Sequence, residues 1–230
     1  MKKWMKREIT FSRGEWLLWA GSAAVIGATW AACGGKSIGL LVASLVGVTS
    51  LILNARGRPL GQALMIVFSL LYGGTSYGFG YYGEVLTYLG MTLPMAVLSL
   101  IAWLRHPYAG DRAEVEVNTL GRRERLLLPG MTAAVTAAFG VLLAWLNTRN
   151  LAPSIVSVTT SFLAAYLTLR RSAFFALAYA ANDGVLVLLW VLAARTDPQY
   201  FSMVACFAAF LINDLYGFYS WRKMHARQRG

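Results

Sequence analysis

Two aspartates in this sequence fall inside strongly apolar segments. Placing an ionisable side chain at the centre of a membrane-spanning helix costs roughly 2.5–3.5 kcal/mol of insertion free energy, so such a residue indicates a function. Asp183 is predicted about 18 Å into its segment, close to the membrane midplane. Tyr179 and Trp190 share its helix face, whereas Asn182 is turned about 100° away. A carboxylate between aromatic rings suits a flat, polar or cationic ligand, because the rings stack on it and the carboxylate orients it. The structural alternative is an interhelical hydrogen bond.

A second polar group lies in the last apolar segment, where Asn213 and Tyr216 share one helix face and Asp214 lies on the next. Asp214 is about two turns before Arg222 and is predicted roughly 12 Å from the inner face. It belongs either to the ligand site or to an ion pair at that interface. Asp183 is expected about 18 Å from the same face, so the two carboxyl groups meet only if their helices shift in depth. Tyr216 belongs to the site or to an aromatic belt.

The first half of the chain offers a polar lining of its own. Gln62, Thr87, Tyr88 and Thr92 are the candidate residues, and Tyr88 and Thr92 repeat the i, i+4 spacing of Tyr179 and Asp183. Pro94 is predicted to interrupt the helical hydrogen bonds beside them, as proline does around transporter cavities.

The elements that position these residues are apolar segments of membrane-spanning length. The 230 residues are 57% hydrophobic and 13% charged, against roughly 25% charged in an average globular chain. The mean hydropathy is +0.54. This composition excludes a soluble enzyme, a nucleic-acid binder and a secreted disulfide scaffold, and it predicts an all-α integral membrane protein. The predicted spans are 15–33, 37–55, 59–79, 84–104, 127–146, 151–169, 172–195 and 199–221.

The basic residues set the predicted orientation. With eight spans, all of the 21 lysines and arginines except Lys36, Arg149 and Arg195 fall on the side of the two termini. The positive-inside rule therefore predicts a multi-pass protein of the cell membrane with both termini cytoplasmic and a basic leader that is not a cleaved signal peptide. The two cysteines, Cys33 and Cys206, form no metal-binding motif, and we expect no cofactor and no metal.

Spans 2–4 and 6–8 read as two copies of one unit. Span 4 ends at Trp103 and span 8 at Trp221, at nearly equal separations from Arg56 and Arg171, which follow spans 2 and 6. Both triplets run in the same direction because span 5 separates them, and parallel repeats of this kind are a transporter architecture. We therefore predict one transmembrane domain over 1–230. Its parts are a leader with an extra helix (1–36), repeat 1 (37–106), a loop with a linker helix (107–150) and repeat 2 with a basic tail (151–230).

With these residues in view, the chain resembles the PnuC family of vitamin-precursor transporters, best known for nicotinamide riboside. The resemblance covers nearly the whole chain. It implies a SWEET-like 3+1+3 arrangement with an extra N-terminal helix, a homo-oligomer that is often a trimer, and facilitated uptake followed by trapping by a cytoplasmic kinase. It rests on Tyr82-Gly83-Glu84, Pro94-Met95, Trp103, Ser161-Phe162-Leu163 through Arg171, the pair Asn182 and Trp190, and Asn213-Asp214-x-Tyr216-Gly217-Phe218-x-x-Trp221.

The resemblance also implies site residues and a question about the substrate. Asn182, Trp190 and Asn213 match positions expected near the ligand. Many relatives carry Gln where this chain has Ala96, and Asn on the span where it has Tyr88. Because relatives that carry thiamine or riboflavin exist, the alternative to nicotinamide riboside is another vitamin on the same fold.

Two other classes remain as alternatives at this point. An intramembrane enzyme needs a nucleophile–base pair or a metal cluster, and the predicted spans contain no histidine. A scaffold or energy-coupling subunit needs an ATPase partner, and no Walker motif is present. Proton coupling through Asp183 also stays open.

Overall fold

The computed structural model describes residues 11–35, 38–78, 82–148 and 150–230, and this part of the chain is helical apart from one small hairpin. The basic residues Lys2, Lys3, Lys6, Arg7, Lys36 and Arg149, used above for the orientation, lie outside the described residues. The elements are α1 (Arg13–Ala32), α2 (Ile38–Ala55), α3 (Pro59–Gly78), α4 (Tyr82–Val85), a π-helix (Leu86–Thr92), α5 (Leu93–Arg105), β1 (Pro107–Tyr108), β2 (Asp111–Val115), α6 (Arg122–Trp145), α7 (Leu151–Leu169), α8 (Phe175–Ala194), a 3₁₀ turn (Pro198–Tyr200) and α9 (Phe201–Arg229).

The eight predicted spans each coincide with one long helical segment of the described chain, because α4, the π-helix and α5 run on continuously. Six of these segments are long and apolar enough to cross a membrane. The other two, α1 and α3, have 20 residues each and so reach about 30 Å at 1.5 Å per residue. The expectation of an all-helical membrane protein is therefore confirmed.

The segment predicted as a polar loop over 105–126 has structure of its own. It contains the antiparallel hairpin of β1 and β2, and α6 begins within it. The hairpin is held by charged side chains: Arg58 Nη2 contacts Asp111 Oδ2 at 3.2 Å, and Glu114 pairs with Arg227 and accepts a hydrogen bond from Gln228 Nε2 at 2.7 Å. These last contacts hold the final turns of α9 against the hairpin, so α9 extends past residue 221, where the last span was predicted to end.

The π-helix follows from Pro94. Proline has no N–H, so the carbonyl of Gly90 cannot accept its usual bond from four residues ahead. The preceding turn widens, and the N–H of Leu93 donates to the carbonyl of Tyr88, five residues back. The predicted interruption thus takes the form of a π-helix that carries both Tyr88 and Thr92 into the bundle.

The helices pack as two triplets. The first triplet is α2, α3 and the continuous α4–π–α5 segment, and the second is α7, α8 and α9. Within each triplet the middle helix contacts both others, and the first helix of each packs against the third helix of the other, α2 on α9 and α5 on α7. Helix α1 lies against α2 and α9, and α6 lies against α7.

The turns that follow the first helix of each triplet have the same hydrogen bonds. Gly57 N–H donates to the carbonyl of Asn54 at 2.9 Å, and Arg171 N–H donates to the carbonyl of Thr168 at 3.0 Å. Gly57 and Arg171 both have positive φ, 64° and 57°. The hairpin then caps the first turn, because Val115 N–H donates to the carbonyl of Gly57 at 2.9 Å.

Two tryptophans join the triplets at the same end. Trp103, on α5, donates its indole N–H to the carbonyl of Thr168 on α7 at 3.0 Å. Trp221, on α9, donates to the carbonyl of Asn54 on α2 at 2.7 Å. Both rings are fully buried, and their centroids are 5.3 Å apart. Each triplet is thus anchored to the other by the tryptophan at the end of its third helix.

The close approach of α2 to α9 generates a stability prediction. A Cβ on Gly47 would lie 2.4 Å from Cζ of Phe210 and 3.2 Å from Cδ2 of Phe68, whereas a Cβ on Gly184 meets nothing within 4 Å. We expect Gly47→Ala to lower the free energy of unfolding by about 1–3 kcal/mol through overpacking. The control Gly184→Ala gains helix propensity and should not lower it. Thermal unfolding in detergent measures both, and equal melting temperatures for the two variants would contradict this packing.

Candidate functional site

The structure brings Asp183 on α8 and Asp214 on α9 together. Both side chains are buried, and their carboxyl groups lie within hydrogen-bonding reach of each other. The expected difference in depth is wrong, because α8 begins at Phe175 rather than at 172. Asp183 is therefore about 12 Å into α8, and Asp214 precedes Arg222 by a similar length of the antiparallel helix α9. We call these two residues the carboxyl pair.

The carboxyl pair has little other support from hydrogen-bond donors. Asp183 Oδ2 is buried and accepts no hydrogen bond from an N–H or O–H group of the described residues. Tyr88 and Cys206 lie within electrostatic range of Asp183, and Tyr179 lies within range of both carboxyl groups. Two adjacent carboxyl groups are stable in an apolar bundle only if they share a proton or meet a cation. The site therefore attracts positive charge.

An aromatic cluster adjoins the carboxyl pair. It consists of Phe68 and Tyr72 on α3, Tyr88 on the π-helix, and Phe207 and Phe210 on α9. Tyr72 and Tyr88 meet with ring centroids 4.5 Å apart, and the other contacts within the cluster lie between 5.4 and 5.9 Å. These rings give the site flat apolar surfaces beside its acidic groups.

One further acid lies at the edge of this cluster. Tyr72 donates its hydroxyl to Glu84 Oε2 at 3.3 Å. Asp183 and Asp214 are the charged side chains that lie farthest inside the described helices, whereas Glu84 and each lysine and arginine of the described ranges lie within about two turns of a helix end or in a connection. Among these described residues no three His, Cys, Asp or Glu side chains come together as a metal site needs.

The remaining residues predicted on α8 flank this centre. Trp190 is buried two turns beyond Asp183, with its ring 5.5 Å from that of Tyr200. Tyr179 is half-buried one turn before Asp183, and its hydroxyl is hydrogen-bonded to Thr168. The predicted stripe of two rings and a carboxylate is therefore present on one helix.

Asn182 faces α7 instead, as the predicted turn of about 100° requires. Its Oδ1 accepts hydrogen bonds from the hydroxyls of Ser157, Thr160 and Ser161 at 3.1, 2.9 and 3.0 Å. The amide thus joins α7 to α8, and its role in ligand binding stays a prediction.

Asn213 is directed toward α1. Its Nδ2 donates to Ser22 Oγ at 2.9 Å and to the carbonyl of Ala209 at 2.7 Å. Its Oδ1 is buried and has no partner among the described residues. No spacing along the sequence connects Asn213 with α1, since Ser22 is a single small hydroxyl residue between apolar neighbours.

Three predicted site residues have no contact with the carboxyl pair among the described hydrogen bonds. Gln62 Nε2 donates to Asn54 Oδ1 at 2.9 Å, between α2 and α3. Tyr216 donates its hydroxyl to Glu15 Oε1 at 3.1 Å, near the first turn of α1. Thr92 is buried at the end of the π-helix. Their role in ligand binding also stays a prediction.

Sequence reasoning missed most of the aromatic cluster. Phe207, Phe210 and Asp214 follow each other at i, i+3 and i+7, which places them on one face of α9. That spacing was available as a signal for two of its rings. Phe68 and Tyr72 repeat the same kind of spacing on α3, but nothing in the sequence indicates that the two faces meet.

Comparison with known proteins identifies the class of this bundle as a membrane transporter. The sequence model of the nicotinamide mononucleotide transporter family matches residues 37–223, so the chain belongs to that family. It is 27% identical to the nicotinamide riboside transporter PnuC of Neisseria mucosa, over 99% of this chain and 88% of the relative. The crystal structure of the vitamin B3 transporter PnuC is similar in fold, with a TM-score of 0.85, 21% identity and 98% of each chain covered. The resemblance noted from the sequence is confirmed.

The three hydroxyl contacts of Asn182 predict a structural effect of its removal. Asn182→Ala leaves the hydroxyls of α7 without their shared acceptor, and we expect it to lower the free energy of unfolding by about 1–2 kcal/mol. Ser161→Ala removes one donor of three and serves as the milder control. Melting of the purified variants in detergent compares them, and an Asn182→Ala variant as stable as wild type would contradict this role.

Proposed function

We propose that this chain is a facilitative transporter of nicotinamide riboside in the cell membrane, and that the carboxyl pair and the aromatic cluster form its binding site. The observation that carries the proposal is the buried contact of Asp183 with Asp214 beside aromatic rings. Nicotinamide riboside presents a flat ring with a fixed positive charge. A carboxylate at contact distance favours such a ring strongly in a low-dielectric interior, and aromatic faces favour it further.

The charges also bear on which nicotinamide compound is carried. A mononucleotide differs from the riboside by a phosphate, and a buried phosphate needs basic partners or amide donors. The charged side chains far inside the spans described for this chain are the acids Asp183 and Asp214. The riboside therefore suits the site better than the mononucleotide.

We propose further roles for the residues on the site's margin. Tyr88, Tyr179 and Trp190 supply surfaces against which the ring stacks during passage, and Thr92 lines the same path. Asn182 and Asn213 bind the ribose or carboxamide once their present contacts open. Gln62 and Tyr216 act nearer the helix ends, where the substrate leaves.

The proposed architecture is 3+1+3, with α6 between parallel repeats and α1 as an extra helix. It is supported by the reciprocal packing of α2 on α9 and α5 on α7. The matching turns at Gly57 and Arg171 and the two indole hydrogen bonds of Trp103 and Trp221 add to it, because duplicated units preserve equivalent contacts. Rocking of one triplet against the other is the motion expected for such repeats.

We propose that the end of the bundle with both termini, the hairpin and the tryptophans Trp103 and Trp221 faces the cytoplasm. This end carries nearly all of the arginines and lysines, as the positive-inside rule requires. A cytoplasmic kinase then traps the riboside by phosphorylation. We also propose a homo-oligomer, as the resemblance implies. Leu143 is the one buried residue of α6, so the face of this helix turned away from α7 is exposed and supports a subunit contact.

Neutralising the carboxyl pair should weaken binding of the cationic riboside. We expect Asp183→Asn and Asp214→Asn each to lower its affinity at least about tenfold, because a buried charge contact is lost. Glu116→Gln removes an exposed carboxylate and is the matched control.

Thermal stabilisation of the purified protein measures this across nicotinamide riboside, the mononucleotide, thiamine and riboflavin. A ligand at 100 times its dissociation constant adds about 2.7 kcal/mol to the free energy of unfolding, which gives a resolvable shift in melting temperature. Stabilisation by thiamine or riboflavin alone would transfer the proposal to that vitamin. Wild-type affinity in both Asn variants would contradict the proposed site.

Facilitated transport predicts equilibration without accumulation. In proteoliposomes that lack a kinase and are clamped at zero membrane potential, internal riboside should rise to the external concentration, and an inward pH gradient imposed under the same clamp should not raise it further. Empty liposomes and the Asp183→Asn protein provide the controls. Accumulation driven by the proton gradient would contradict the passive mechanism and assign the carboxyl pair to proton coupling.

A further inference from the structure

A basic pocket lies at the end of the bundle where α6 begins and α9 ends. It is a cavity of about 410 Å³ between these helices and the start of α8. Four residues bring cationic or titratable nitrogen to it, and three more bring hydroxyl or amide groups. The cationic and titratable residues are Arg125, Arg222, His225 and Arg229, and the polar ones are Asn118, Thr119 and Ser172.

The described residues that line this pocket include no aspartate or glutamate, so its positive charge is not neutralised from within. Glu124, next to Arg125 in sequence, is held by Arg170 and by the hydroxyl of Tyr166 at 2.8 Å. That contact raises the pKa of Arg170 through the hydrogen bond to Glu124. Nε2 of His225 is buried without a hydrogen-bond partner in the described chain.

Two arginines of the pocket, Arg222 and Arg229, make only weak side-chain contacts. Arg222 lies over the ring of Phe174, 6.0 Å from its centroid. Arg229 Nη2 approaches Thr119 Oγ1 at 3.4 Å. Neither contact supplies negative charge, so both guanidinium groups are available to an anion.

A second cavity continues from the pocket along the bundle. This groove has a volume of about 640 Å³, lies between α6 and α7, and shares Arg125 and Leu128 with the basic pocket. Its hydroxyl groups are already bonded within the protein: Thr136 to Thr159 at 3.0 Å, and Thr132 to the carbonyl of Leu128 at 2.8 Å. The groove therefore presents an apolar wall.

We propose that the basic pocket and the groove together bind one anionic phospholipid, with its phosphate among Arg125, Arg222, His225 and Arg229 and an acyl chain along the groove. Basic pockets between membrane helices bind anionic headgroups in this way. The inference rests on the proposed orientation, which places the pocket at the cytoplasmic leaflet, and it is independent of the transported substrate.

Two other occupants fit the cavities less well. A soluble phosphate compound would use the pocket and leave the apolar groove empty. A second copy of this chain, with 10 acidic against 21 basic residues, offers few carboxylates to this pocket, and the proposed subunit contact lies on the face of α6 turned away from α7. A lipid satisfies both cavities at once.

Native mass spectrometry of the full-length protein tests the proposal with phosphatidylglycerol and phosphatidylcholine of the same acyl chains. We expect phosphatidylglycerol to bind more tightly. The double variant Arg222→Gln/Arg229→Gln should weaken it about thirtyfold, given the usual contribution of each arginine near an anionic lipid. Arg105→Gln/Arg112→Gln removes two exposed arginines from the same end of the bundle and should leave binding unchanged.

The groove and the phosphate are then tested separately. Ala133→Trp fills the groove, where Ala133 is exposed, and should weaken phosphatidylglycerol binding without changing the oligomeric mass or the melting temperature of lipid-free protein. Equal binding of the two lipids would overturn the proposal. So would full displacement by millimolar inorganic phosphate, which indicates a soluble anion, or a changed oligomeric mass with unchanged lipid binding, which indicates a subunit contact. The riboside-induced melting shift is read on the same samples, so a failed lipid site and a failed substrate site give different results.

Discussion

The crossed hydrogen bonds of Trp103 and Trp221 are the interaction on which the arrangement of this bundle depends. Each indole leaves its own triplet and donates to a carbonyl at the end of the other triplet's first helix, at 3.0 and 2.7 Å. Inside a membrane, apolar surfaces give little preference for one helix partner over another, so polar contacts and close packing decide which helices meet. The two bonds fix α5 to α7 and α9 to α2, and the faces that remain between the triplets are those that carry the carboxyl pair and the aromatic cluster.

The same constraint explains why the acids of the centre need a ligand or a proton. Most polar side chains of the bundle are committed to helix contacts, as the amides of Asn182 and Gln62 illustrate. The carboxyl pair differs because its partners are each other, and each oxygen without a donor is costly in an apolar interior. In the proposed site, a cationic substrate relieves that cost while it is bound and regains water on either side of the membrane. Binding of the charged ring is thereby favourable and need not be tight.

The sequence predicted the helices well because apolar length and basic flanks are local properties. It also identified Asp183, Asp214 and the aromatic residues around Asp183. It placed the two carboxyl groups at different depths because it could not locate the start of α8. That start depends on a turn in which the N–H groups of Phe174 and Phe175 donate hydrogen bonds to Ser172, and hydrophobic periodicity does not reveal such a turn. The partners of Asn182 and Asn213 lie on α7 and α1, and side-chain spacing along one helix carries no information about the facing helix. The aromatic cluster spans three elements, so only the assembled bundle reveals it.

We propose that the carboxyl pair recognises the positive charge of the nicotinamide ring. Isothermal titration calorimetry on the purified protein compares the affinities of nicotinamide riboside and its reduced form, which is uncharged and nearly the same in size. We predict that the reduced form binds at least about tenfold more weakly to the wild type, and that the difference disappears in Asp183→Asn, because the charge contact is then gone. Equal affinity of the wild type for the two forms would contradict recognition of the ring charge by the carboxyl pair.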